Sequence, residues 1–400
     1  MTMECVLKDL IALSKDGEWG KGEPFDDSVE MHAIRGTDFE DVRFGDTASA
    51  PRRHIKKPVA ERKKLQPWDV IIEVAGGTKD QITGRTVLLR PQLFARSELP
   101  LTCASFSRFI RFNTELCDPE FLFWYLQHLY ASGAMHAYHT QHTGVARFQW
   151  TTFSEREPLS LPPLRIQKRI AGILSAYDEM IENSRRRIKI LESIARALYR
   201  EWFVHFRFLG HNHHPRVTSP LGEIPDGWEV KLVKDILSRR AAGTVYREAD
   251  VKQDGAIPVL DQSTSEWLGF HDNEADQPAS AELPLSIFGD HTCKMQLLVE
   301  PFSVGPNVVP FSANLEWPTA YVFYAVNSLV QTQEYKRHWA PLNAKEVIVA
   351  DPATARRFAS LIQPMLTAQA SLRKAIRNLR RTRDLLLPRL LAGQIDVEAA

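Results

Sequence analysis

His211, His213 and His214 sit close enough along the chain to offer three imidazoles to a metal, and Asp69 with Glu73 offers two carboxylates on one apparent strand. Neither set goes further. Pro215 follows the histidines in a stretch that reads as a linker, where exposed polarity is the plainer account. A nuclease centre would need a lysine in register with the two acids, and none stands there. Gly76-Gly77-Thr78-Lys79 is too short for a GxxxxGK[ST] phosphate loop, and the chain has no GxSxG elbow and no HExxH pair. Leu161-Pro162-Pro163-Leu164 lacks the leading amide or acid with which an amino-group DNA methyltransferase holds its target amine. A glycine-rich turn for S-adenosylmethionine is missing as well. These residues point away from catalysis and towards binding.

The elements that would position a binding surface are bounded first by size. The 400 residues leave room for two or three domains, each able to bury a core. An apolar fraction of 44% and a charged fraction of 25% are those of an ordinary globular chain. The net charge of +1 rules out polyanion binding by bulk charge, so a nucleic-acid footprint must be local. The four cysteines form no CxxC pair, which fits a reducing compartment. The N-terminal residues carry charges without a signal-peptide core, and no apolar run approaches the roughly 18 residues of a membrane span. A cytoplasmic location is expected.

Val70-Ile71-Ile72-Glu73-Val74 and Thr86-Val87-Leu88-Leu89 read as strands separated by a Gly76-Gly77 turn. Asp118-Pro119 opens a helix as N-cap and first-turn proline. Further on, Leu285-Ser286-Ile287-Phe288 reads as a strand, and Pro318 to Val326 takes the place that Pro119 to Leu126 held. Val6-Leu7-Lys8-Asp9-Leu10 likewise resembles Leu232-Val233-Lys234-Asp235-Ile236. The globular segments therefore look like diverged copies of each other.

A stronger repeat links residues 161–208 and 351–393. Ala171 aligns with Ala359, Ile188 with Ile376, Leu191 with Leu379 and Leu198 with Leu386, all at one offset. In the later copy Phe358, Ile362, Met365, Gln369, Leu372, Ile376, Leu379, Arg383, Leu386 and Leu390 alternate spacings of four and three, a coiled-coil seam with two polar interruptions. The earlier seam runs Ile166, Ile170, Ile173, Tyr177, Ile181, Ser184, Ile188, Leu191, Ala195, Leu198 and Trp202, with a stutter at Tyr177. Asp351-Pro352 is a good helix start, and Pro364 predicts a kink or restart. Two such helices of about 60 Å in one chain are expected to pair antiparallel. Basic residues concentrate on them: Arg185, Arg186, Arg187 and Lys189, then Arg373, Lys374, Arg377, Arg380 and Arg381. A solvated coiled-coil face accounts for these; a positive rail along a DNA backbone is the functional alternative. The same choice applies to Arg52-Arg53-His54-Ile55-Lys56-Lys57 and Arg62-Lys63-Lys64.

Leu161-Pro162-Pro163-Leu164, Gln167, Ile170-Ala171, Leu174-Ser175, Asp178 and Ile181-Glu182 resemble the conserved helix of the specificity subunits of type I restriction–modification enzymes. Leu191-Glu192, Ala197-Leu198-Tyr199, Trp202-Phe203-Val204 and Phe206-Arg207-Phe208 fit the same family, and Leu221 to Trp228 looks like its entry into a second recognition domain. The resemblance implies an α+β fold, with two target-recognition domains of mixed α/β structure separated by two long antiparallel helices forming an intramolecular coiled coil. Their expected extents are 1–160 and 209–350 for the domains, and 161–208 and 351–400 for the helices.

The resemblance also implies a non-catalytic reader of double-stranded DNA, with one half of a split site for each domain and the gap set by the helices. Two methyltransferase subunits and an ATP-dependent restriction subunit are the implied partners. S-adenosylmethionine, ATP and Mg would sit on those partners, with no cofactor or metal in this chain. Base-edge contacts need Arg, Lys, Asn, Gln, Ser or Thr on loops beyond strands. Thr78, Lys79, Gln81, Arg85, Thr143, Arg147 and Gln149 are the candidates in the first domain, and His291, Thr292, Lys294, Asn307, Asn343 and Lys345 those in the second. Two other readings remain open on sequence: a stand-alone bipartite DNA-binding regulator and a coiled-coil protein scaffold.

Overall fold

The computed structural model describes residues 2–76, 81–141, 145–263, 265–332 and 336–397. The chain divides into two compact units, Met1–Asn183 with Ile376–Ala400, and Ser184–Ala375. Both boundaries fall inside the long helices, Leu164–Tyr199 and Pro352–Leu391.

The units are built on one plan. In the first, an antiparallel sheet orders Ile11–Asp16, Ser107–Phe112, Val70–Glu73 and Thr86–Leu88. In the second, Leu237–Arg239, Val308–Ala313, Leu285–Gly289 and Met295–Leu298 take the same order. Each unit also has a three-stranded sheet whose central strand is antiparallel to one neighbour and parallel to the other. Those central strands are Ser28–Ile34 and Ile257–Leu260. Met3–Val6 pairs with Pro158–Leu161, and Glu229–Leu232 pairs with Glu346–Val349. A single helical turn follows the first strand of each pair, Leu7–Leu10 in one unit and Val233–Ile236 in the other. The echo between residues 6–10 and 232–236 is thus a structural duplication.

Local chemistry explains the elements. Val70, Ile71 and Ile72 are buried on both faces of the sheet, as a continuous β-branched run requires. The Asp118 carboxylate accepts the Phe121 N–H at 2.8 Å and caps the helix Pro119–Ala131, whose Phe121, Trp124 and Leu126 fill the core. Every residue of the corresponding helix Thr319–Val326 except Thr319 is buried.

Every seam position named from the sequence is buried or half-buried in both long helices. Within the first unit, Arg383 meets Asp178 while Leu387 and Leu390 share a cluster with Ile170 and Leu174. Within the second, Arg373 meets Glu192 while Phe358 packs on Tyr199 and Trp202. The two helix segments run antiparallel in each. No restart occurs at Pro364: the helix continues from Pro352 to Leu391. Pro364 is exposed while Ile362 and Leu366 are buried, so packing offsets the roughly 3 kcal/mol a proline costs in a helix interior. The Asp351 carboxylate caps this helix, accepting from Ala353 and Thr354 at 3.0 and 2.9 Å. The first helix ends in a π turn, Arg200–Val204, that buries both Trp202 and Phe203.

A second stripe on the first helix fastens it to its own unit. Gln167 accepts the Asp118 N–H at 2.9 Å and donates to the Pro162 carbonyl at 2.8 Å. The Ser175 hydroxyl accepts from the Trp124 indole at 3.1 Å. Asp178 accepts from Arg43 at 2.7 and 3.2 Å, and Glu182 from Arg96 at 2.7 Å. Gln167, Ser175 and Asp178, which carry part of the family resemblance, are therefore buried fasteners. The basic residues are partly spent as well: Arg373 lies 3.1 Å from Glu192 and 3.2 Å from Glu266, and Arg380 lies 2.9 Å from Glu40. Among the described residues, no helix is long and apolar enough to cross a membrane.

Candidate nucleic-acid interface

In the first unit a small sheet joins the two loops singled out from the sequence. Ala75–Gly76 pairs with Ala146–Phe148, with Ala146 opposite Gly76 and Arg147 opposite Ala75; His139–Thr140 pairs on the other side. Gly76 sits at φ +115°, which only glycine adopts without strain. Thr78, Lys79 and Thr143 lie outside the described residues. Arg147 is exposed between buried Ala146 and Phe148, as strand alternation dictates. Gln81 and Gln149 are exposed, and the Gln149 N–H donates to the Tyr138 carbonyl at 2.8 Å.

Arg85 is fixed rather than extended. Its Nε and Nη2 donate to both oxygens of buried Glu73 at 2.9 and 2.8 Å. Burial works against its charge, but the bonds and charge of Glu73 outweigh that and raise its pKa. Asp69 is likewise held bidentately by Arg111 at 2.8 Å. Both acids of the imagined nuclease pair are thus neutralised by arginines. Among the described residues, no three His, Cys, Asp or Glu side chains come together to hold a metal. The basic cluster at 52–57 is also engaged: Arg53 donates to the Trp19 and Gly20 carbonyls and lies 4.5 Å over the Trp19 ring.

In the second unit, His291, Thr292 and Lys294 share the turn joining Leu285–Gly289 to Met295–Leu298, and the Asn307 carbonyl accepts the Asp290 N–H beside it at 2.8 Å. The His291 N–H donates to the Gln262 side chain at 3.1 Å, and the Thr292 hydroxyl to the Gln262 carbonyl at 2.7 Å. Lys294 donates to the Asp261 and Ser265 carbonyls at 3.1 and 2.6 Å, and burial pushes its pKa down. Asn307 is exposed at φ +59°. These four gather at one edge. Asn343 and Lys345 belong elsewhere. The Asn343 amide donates to the Trp339 carbonyl, and the Lys345 carbonyl accepts the Val233 N–H, at the root of the sheet pair.

The duplicated plan exposes one residue that sequence reasoning missed. The Phe148 N–H donates to the Val74 carbonyl at 2.9 Å, and the His338 N–H donates to the Asp290 carbonyl at 2.8 Å. Val74 and Asp290 each directly follow the corresponding strand, Val70–Glu73 or Leu285–Gly289. Arg337 therefore stands where Arg147 stands. Its side chain is 78% exposed, 3.8 Å from the Asp290 carboxylate, which also caps the helix Trp339–Asn343 through the His338 and Trp339 N–H groups. The usable signal was an arginine just ahead of a short Trp-led helix in both copies.

Comparison with known proteins agrees with this plan. Residues 91–193 match the Type I restriction modification DNA specificity domain. The type I restriction enzyme MjaIX specificity subunit of Methanocaldococcus jannaschii is 25% identical over 300 residues, covering 68% of this chain and 69% of that one. The MjaVIII specificity subunit of the same organism is 29% identical over 116 residues, covering 29% of this chain and 26% of that one. The crystal structure of a type I restriction–modification S subunit from M. genitalium superposes with a TM-score of 0.55 at 14% identity, over 98% of this chain and 96% of that one, and so shares the fold.

Proposed function

We propose that this chain, which is similar to the specificity subunits of type I restriction–modification enzymes, is a non-catalytic DNA-recognition subunit of that kind and that each unit reads one half of a bipartite duplex site. The observation that carries this reading is the duplicated sheet plan with an exposed arginine at the same place in each copy, Arg147 and Arg337. An exposed arginine can bond guanine O6 and N7 together in the major groove. On this reading the long helices set the gap between half-sites. Their 36 and 40 residues correspond to about 54–60 Å of rise, of the order of one to two turns of duplex at about 34–36 Å each.

The partners in this proposal are two methyltransferase subunits docked on the helices and an ATP-dependent restriction subunit, all acting in the cytoplasm. S-adenosylmethionine, ATP and Mg would be held by those partners. Exposed Ile190, Ile194 and Val204 on the second unit's helical segment give a docking subunit apolar surface to cover. Deleting the gene and mapping adenine methylation tests the reading: a split methylated sequence should vanish, and an unaltered methylation map would overturn it. Arg147→Ala and Arg337→Ala should each relax one position, in different half-sites, at about 1–3 kcal/mol, or about 5- to 150-fold. Methylation that keeps full discrimination at every position in both variants would remove these residues from the readout.

A further inference from the structure

Beside the Arg147 sheet, the first unit encloses an open cavity of about 730 Å³. Its floor is the Glu73–Arg85 pair. Gly36 packs flush against that pair: a Cβ there would lie 2.5 Å from Glu73 Oε1 and 2.7 Å from Arg85 Nη2. Ser107 stands directly opposite Glu73 across the paired strands, so the two side chains share a face. Ser107 is 1% exposed, lines the cavity, and its hydroxyl has no hydrogen-bond partner among the described residues. Trp19 and Phe106 form exposed aromatic walls. Gly76 and Gln81, which flank residues 77–80, are at the mouth.

The charges of this cavity are already balanced. Arg85 is matched by Glu73, and Arg35 donates to Asp38 at 3.0 and 2.9 Å and to the Ser49 carbonyl at 2.9 Å. Among the described residues that line the cavity, no cation is left unmatched for a phosphate. What fits is a flat, neutral heterocycle with polar edges: aromatic faces to stack on, and a few fixed donors and acceptors below. We propose that this cavity receives one nucleobase of the DNA site, unstacked from the duplex, with its face against Trp19 and Phe106 and its edge towards Ser107 and the Glu73–Arg85 pair. This rests on the DNA-reading role proposed above and adds a position that is read out of the helix rather than in the groove. It accounts for the unpartnered hydroxyl and for a cavity opening beside Gly76 and Gln81.

The test uses the full chain co-produced with its methyltransferase subunits, on duplexes carrying the mapped site. Mismatches lower the cost of extruding a base, so a base taken out of the stack reveals itself by tighter binding when mispaired. The methylated adenines are set aside, because the methyltransferase must extrude those. One further position should then bind about tenfold more tightly when mismatched, and Trp19→Ala and Phe106→Ala should abolish the gain there alone. Both side chains are exposed, so the variants should fold, which thermal melting checks. If mismatches weaken binding at every other position, or the gain survives both variants, the cavity proposal is overturned while site-specific binding stands. If no site-specific binding is found at all, the DNA-reading proposal itself fails.

Discussion

Replacing Asp178 with alanine is expected to destabilise the first unit by about 3–5 kcal/mol, the usual cost of removing one partner from a buried ion group. The Asp178 side chain is 1% exposed and sits between two guanidinium groups, with Arg43 at 2.7 Å and Arg383 at 2.5 Å. Both guanidiniums also face Trp124, at 5.0 and 5.5 Å from its ring. Alanine would leave Arg43 in apolar surroundings with no counter-charge and Arg383 with only the exposed Asp384, and would remove the ion group's hold on the segment around Arg383. The same node sets an acid limit. Burial alone would raise the Asp178 carboxyl, but the charges of Arg43, Arg383 and Arg90 outweigh burial and hold it below its ordinary value. Its contribution is therefore fully present above the unfolded-chain value of about 3.9 and is lost as pH falls through the lower folded value. Urea midpoints measured from pH 7 downwards check both parts. A midpoint for Asp178→Ala equal to wild type at pH 7, or an unchanged acid limb, would show that the node contributes nothing.

That node also shows what a sequence can and cannot disclose. The seam was legible because apolar residues at spacings of four and three have one cheap burial, against another helix. Arg383 was visible only as an interruption of it. Gln167, Ser175 and Asp178 stood out only through the family resemblance; their role as fasteners was hidden, because their partners Asp118, Trp124 and Arg43 come from distant parts of the chain. The duplication of the globular parts survived as faint echoes at residues 6–10 and 119–126. Backbone topology keeps a strand order long after side chains have changed. Arg337 was missed because the segment before it differs from that before Arg147; only the shared hydrogen bonds of Phe148 and His338 align them. Among the predicted base-contacting residues, the structure explains the fixing of Arg85 and Lys294 by partners that no spacing rule could supply.

The two helix copies meet their units with different chemistry, and this locates the other large effect. At the repeat's constant offset, Asp178 corresponds to Leu366 and Arg383 to Ala195, both in the second unit's apolar cluster. Ile170 corresponds to Phe358, which is fully buried. At the positions of the first unit's ion group the second has only Leu366 and Ala195, and rings gather instead around Phe358. Phe358 lies 5.2 Å from Phe203 at 90°, 5.8 Å from Tyr324, 5.9 Å from Tyr199 and 6.3 Å from Trp202. Edge-on packing of this kind adds about 0.5–1.5 kcal/mol per pair beyond burial. Phe358→Ala is expected to cost about 3–5 kcal/mol, since a rigid aromatic cage cannot collapse into the space left. Phe358→Ile, which copies the first helix, should cost less because it keeps most of the volume. Leu361→Ala on the same helix is the control, at 44% exposure, and should change little. Urea unfolding of the full chain separates these outcomes. If Phe358→Ala costs no more than Leu361→Ala, the aromatic cluster is not what fastens this helix segment, and apolar burial around Ile362 and Leu366 must hold it instead.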